Sequence, residues 1–77
     1  MNRDYLIGEL EKGCSIFHAD ELNTQWVVYY DNVFVVQLVD YASNSVLDDY
    51  RYDDLDTCLN TMQKIGPFDS WASNNDC

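Results

Sequence analysis

Apolar residues recur along this chain with two different periods, and the change of period divides it into elements. Near the start, Asp4 precedes Tyr5, Leu6, Ile7, Glu9 and Leu10, and Lys12 and Gly13 follow. An acidic opening, an apolar stripe and a basic residue before glycine predict a helix of about two turns, weakened by Gly8 in its interior. Cys14 to His18 reads either as a short strand or as an extension of that helix, with a polar connection from Asp20 to Asn23.

From Gln25 to Tyr30 the run is rich in β-branched and aromatic residues, and Asp31-Asn32 then separates it from a second such run, Val33 to Tyr41. This predicts a hairpin, since Asp and Asn tolerate the positive φ that tight turns demand. Ala42 to Ser45 supplies the next turn, and Val46 to Tyr52 a third strand. With both turns tight, Trp26, Val28, Tyr30, Val33, Val35, Val39, Tyr41, Val46, Tyr50 and Tyr52 share one face. Val27, Tyr29, Phe34, Val36, Leu38 and Leu47 share the other. Both faces are more apolar than a sheet with one solvated side requires, so each predicts a cover.

Period 3.6 returns with Leu55, Cys58, Leu59, Met62 and Ile65. Asp53 or Asp54 can cap this helix, Lys64 lies in its last turn, and Gly66-Pro67 stops it. It should pack on one sheet face, leaving the other to the N-terminal helix or to a second copy of the sheet. Phe68 and Trp71 are expected to fold back, and the tail to fray from about residue 70. The predicted fold is α+β: a three- or four-stranded antiparallel meander, a C-terminal amphipathic helix and a short N-terminal helix in a single domain spanning residues 1–77.

Size and composition agree with a folded domain. Seventy-seven residues suit one core, and 47% hydrophobic with 14% aromatic residues lies well above an acidic disordered tail. Charge is the dominant feature. Fourteen Asp and Glu against four Lys and Arg give a formal −10, which repels nucleic acid and anionic membranes and attracts basic surfaces. Keeping a small domain soluble is the plainer use of the same charge. No stretch approaches the about 20 apolar residues of a membrane span, and cytoplasmic localisation is expected. Cys14, Cys58 and Cys77 are an odd set without a CxxC spacing, which predicts free thiols and neither a zinc site nor a disulfide framework.

Parts for catalysis are few. His18 is the one histidine; Cys14 would meet it on a helix, but on a strand the four-residue interval is about 13 Å. Gly8, Gly13 and Gly66 are too far apart for a phosphate loop. Paired carboxylates abound, yet so small a domain leaves little room for a cleft. An EF-hand counted from Asp48 would need glycine at Asp53 and glutamate at Leu59, so that match fails, leaving a weak divalent-ion reading for Asp53, Asp54 and Asp56. The chain is therefore read as a non-enzyme without a cofactor.

The densest acidic segment runs from Asp48 to Asp56. Alternate strand residues stand about 6.6 Å apart, so carboxylates there can form a row with the spacing of nucleotide phosphates. Asp40, Asp48, Asp49, Asp53, Asp54 and Asp56 are the candidate row, with Glu9, Glu11, Asp20 and Glu21 as a second patch. Tyr50 and Tyr52 interleave with the row, while Tyr29, Tyr30 and Tyr41 lie on neighbouring strands. Tyrosine gives large contact area at low entropic cost, although strand propensity alone also favours it.

In size, charge and layout, from Val33-Phe34-Val35-Val36 through Asp53-Asp54-Leu55-Asp56, the chain resembles small acidic inhibitors encoded by bacteriophages, including anti-CRISPR proteins and DNA mimics. It is similar in the same way to immunity proteins and antitoxins that plug a basic nuclease. The resemblance implies action in a host cytoplasm as a stand-in for nucleic acid, or blockage of a basic channel. The rival expectation is a structural or housekeeping domain that forms a homodimer through its spare apolar sheet face.

Overall fold

Helix α1, Arg3–Glu11, begins where the Asn2 side chain accepts the Tyr5 N–H at 2.8 Å, and ends before Gly13, whose φ of 90° suits glycine. Residues 2–73 are described by the computed structural model. Strands β1 (Ile16–Ala19), β2 (Thr24–Tyr30), β3 (Phe34–Asp40) and β4 (Ser45–Tyr52) follow, then helix α2, Leu55–Ile65. A single 3-10 turn, Phe68–Ser70, leads to β5, Ala72–Ser73. The sheet is antiparallel with order β4-β3-β2-β1-β5, so the α+β meander is present with five strands where three or four were expected. The chain does not fray at residue 70: β5 pairs with β1, Ile16 opposite Ser73 and Phe17 opposite Ala72. The remainder of the expected frayed tail, residues 74–77, lies outside the described residues.

Each of the three connections that join β1 to β4 contains one asparagine in the left-handed region: Asn23 at φ 69°, Asn32 at 62° and Asn44 at 58°. Asparagine tolerates that region because its short side chain bonds locally. The Asn32 connection decides the packing of the whole sheet. Tyr30 stands opposite Phe34, so the loop has three residues, Asp31 to Val33, and not the two of a tight turn. One extra residue moves every β3 side chain to the opposite face.

Trp26, Val28 and Tyr30 therefore share their face with Leu38, Val36 and Phe34, and across β4 with Asp48, Tyr50 and Tyr52. That pairing corrects the expected grouping, which had put Val35 and Val39 beside Trp26 and Val28. Further along, Leu38 pairs with Asp48 but Val39 with Val46, so Leu47 is an inserted bulge residue on β4.

Both helices cover the Trp26–Val28 face. Leu6 and Leu10 of α1, Cys58, Leu59 and Met62 of α2, and Ile16, Val28 and Val36 of the sheet form one buried cluster, closed by Trp71. The expected fold-back of Trp71 is thus present, with 2% of that residue exposed. Its indole N–H donates to the Gly66 carbonyl at 3.2 Å. On the opposite face lie Phe17, Val27, Tyr29, Val35 and Val39, and neither helix reaches it. Val35 is buried there, outside the helix-covered cluster, between its cross-strand neighbours Tyr29 and Arg51.

Candidate partner-binding surface

Strand β4 is one of the two outer strands of the sheet, and every residue of it except Tyr52 is exposed. One backbone edge pairs with β3. The other presents unpaired N–H and C=O groups, the arrangement that accepts an added strand or is guarded against one by charge.

Alternation along β4 distributes its acids between the two faces. Asp48 lies opposite Leu38 on the helix-covered face, and Asp49 lies opposite Gln37 on the other. Asp49 is tightly held: Gln37 Nε2 donates to it at 2.9 Å, and Arg51 Nε and Nη2 at 3.1 and 3.3 Å. The Arg51 guanidinium and the Gln37 amide keep its carboxyl below the usual range, and the arginine is raised in return. Tyr50, 44% exposed, stacks on Trp26 with ring centroids 6.4 Å apart, while Tyr52 is half-buried and packs against the core.

Beyond β4 the acids have structural work. Asp54 caps α2, accepting the Thr57 N–H at 2.9 Å and its hydroxyl at 2.8 Å, bonds that hold its carboxyl below the usual range. Asp56 pairs with Arg3 at 3.5 Å and ties the starts of the two helices together. Asp53 lies exposed between Tyr52 and the cap. Asp40, at the other end of the hairpin opposite Ser45, accepts the N–H groups of Ala42 and Ser43 at 3.0 and 3.4 Å.

The fold thus gathers Tyr52, Asp53, Asp54 and Asp56 at the β4–α2 junction and leaves Asp48 and Tyr50 beside them on one face. Asp49 is on the reverse face. Asp40 stands at the far end of β4, about 23 Å away at strand rise. The second acidic patch is not assembled as one surface: Glu9 is only 7% exposed, with Lys12 Nζ 3.7 Å and the Ser73 hydroxyl 3.4 Å away. The Tyr5 hydroxyl and Lys12 hold its carboxyl low against the opposing effect of burial. Asp20 and Glu21 sit in the β1–β2 connection, where both engage Thr24.

Among the described residues no three His, Cys, Asp or Glu side chains cluster as a metal site requires. Cys14 is disulfide-bonded, which corrects the expectation of free thiols there and removes it as a nucleophile for His18. Cys58 is the free and buried cysteine, its thiol pushed up to about 11 by burial and by Asp54, so it is unreactive. His18 lies on the helix-covered face, its ring 5.0 Å from that of Trp71 and its Nδ1 buried without a partner. No helix among the described residues is long and apolar enough to cross a membrane.

One feature escaped the sequence reading. Ile7, Leu10, Glu11, Tyr30, Phe34 and Leu55 line an open, mainly apolar hollow of about 300 Å³ between the two helices and the β2–β3 hairpin. Its signal was the parity of Tyr30 and Phe34, which only the three-residue loop brings together, with ring centroids 4.8 Å apart. Comparison with protein-family models, curated proteins and solved structures finds no match.

Proposed function

We propose that this chain is a non-catalytic acidic binding protein that occupies the basic nucleic-acid-binding surface of a nuclease or related complex, in the manner of anti-CRISPR and DNA-mimic proteins. One observation carries the reading. The exposed outer strand β4 presents Asp48 and Tyr50 and runs directly into Asp53, with no ion pair to Asp48 or Asp53 among the described residues. Three of the four cations, Arg3, Lys12 and Arg51, are meanwhile held by Asp56, Glu9 and Asp49. Most of the protein's positive charge is thus paired internally, while Asp48 on the open strand and Asp53 just beyond it remain available to an outside cation.

A partner rich in Lys and Arg would approach this strand under long-range attraction from the formal charge of −10. Tyr50 would add contact area, already braced by Trp26. Action in a host cytoplasm would meet a reducing environment, in which the Cys14 disulfide is open to reduction.

The test is capture from a bacterial lysate at low salt, identification of what is bound, and assay of its nuclease activity. Capture of a nucleic-acid-binding protein that is inhibited by the wild-type chain and spared by Asp48→Lys/Asp53→Lys is the expected result. Recovery of no such protein, or inhibition indifferent to those substitutions, refutes the reading.

A further inference from the structure

The face that neither helix covers has a charge unlike that of the rest of the molecule. Phe17, Val27, Tyr29, Val35 and Val39 run across its centre, and Val46 with the bulged Leu47, 54% and 51% exposed, continues it onto β4. In a chain carrying a formal −10, the only charged side chains in the strand registers of this face are Asp49 and Arg51, which neutralise each other. Apart from Asp49, which Arg51 neutralises, no acid stands in the strand registers of this largely apolar plate. Solubility alone gives no reason for that; a neutral mate does.

We infer that this face is the interface of a homodimer, in which two copies stack their open sheets face to face about a two-fold axis. The charges favour a second copy over another apolar partner because the pair is self-complementary. Asp49 and Arg51 are two residues apart on one strand and point the same way. A two-fold axis lying between the sheets and crossing the strands at Tyr50 sets Asp49 of each copy over Arg51 of the other. The same axis passes the levels of Val36 and Val28, which are in register with Tyr50, and sets Tyr29 over Val27 of the second copy.

Area points the same way. Four strands at about 4.8 Å and seven residues at about 3.3 Å make a plate of about 440 Å² in projection. Side-chain relief enlarges the accessible area toward the about 800 Å² per partner of a stable interface, so the dimer needs nearly the whole face. The outer edge of β4 stays free in this arrangement. The inference therefore stands apart from the reading of β4 as a basic-partner contact, and a dimer would present two such strands.

Salt separates the two interactions by sign. Copies of a −10 chain repel one another, so screening strengthens their association while it weakens binding to a basic partner. Sedimentation equilibrium of the full chain should give twice the 9.0 kDa chain mass, with association tightening several-fold from about 50 to about 500 mM salt. Arg51→Glu, at an exposed position, places four acids together and should yield a monomer whose circular dichroism matches the wild type. The double swap Asp49→Arg/Arg51→Glu restores opposite pairing and should restore the dimer.

A wild-type chain that stays monomeric at every concentration and salt overturns the inference. So does an Arg51→Glu variant that dimerises as tightly as the wild type, or a double swap that remains monomeric. A monomer that still binds a basic nuclease overturns the dimer alone. A dimer that binds none overturns the proposed function alone.

Discussion

Adding a single methyl group at Gly66 tests the packing at the end of α2. Gly66 has φ −173° and ψ 159°, an extended conformation open to any residue, so a substitution there meets no backbone penalty. What it meets is the His18 ring: a Cβ would overlap Nε2 and lie 3.0 Å from both Cδ2 and the Ser70 Oγ. The ring cannot retreat freely, because it stands against Trp71, which is itself 2% exposed and bonded to the Gly66 carbonyl. Overpacking costs about 1–3 kcal/mol, and a lost indole hydrogen bond adds about 0.5–1.5 kcal/mol.

Gly66→Ala should therefore destabilise by about 2–4 kcal/mol, at about 4–8 °C of melting temperature per kcal/mol in a domain of this size. Urea unfolding followed by tryptophan fluorescence measures it. In a His18→Ala background the ring is gone, and the same substitution should cost less than about 1 kcal/mol, the coupling expected of touching residues. Equal costs in the two backgrounds would refute the steric argument and place the glycine requirement elsewhere.

Other substitutions probe local structure in the same assay. Gly8 sits in α1 with nothing within 4 Å of where its Cβ would be, so Gly8→Ala should stabilise by about 0.5–1 kcal/mol. The carboxyls of Glu9, Asp49 and Asp54 are held below their unfolded values, so the stability they contribute is complete above the ordinary carboxylate range. It is lost as pH falls through the folded values, so the urea midpoint should decline below about pH 4. Asp54→Asn keeps a capping oxygen without a titrating proton and should make that decline shallower; an unchanged slope would exclude the cap as a source.

Much of the fold was legible because local signals agreed with one another. The α2 stripe, its Asp54 cap and the Gly66-Pro67 stop all mark one helix, and it spans Leu55–Ile65. The β2–β3 and β3–β4 hairpins were equally plain from their strand residues and Asn-bearing turns, whereas Cys14 to His18 left strand and helix both open. Sheet parity was not, because it depended on whether Val33 belonged to the strand or to the loop, and no propensity separates those for a valine. Strand β5 was hidden for another reason: two residues carry no period, and they pair only because Trp71 anchors the chain beside β1. At the candidate surface, the acids were visible but their occupations were not. Pairing of Asp56 with Arg3 and the contact of Glu9 with Ser73 both depend on tertiary neighbours far away in sequence.

Nearly every pairing in the sheet joins consecutive strands through a short connection, and the exception is β5 against β1, where residues 16 and 73 meet. Loop closure of that kind comes late, since the entropy of ordering the intervening chain must be met before the contact forms. Hairpins β1 to β4 can therefore assemble while the polypeptide is still being synthesised. The core lacks the large side chain of Trp71 until synthesis has passed that residue. A nascent chain halted before that tryptophan holds an assembled meander over an unfinished interior, in a form that chaperones and proteases can recognise.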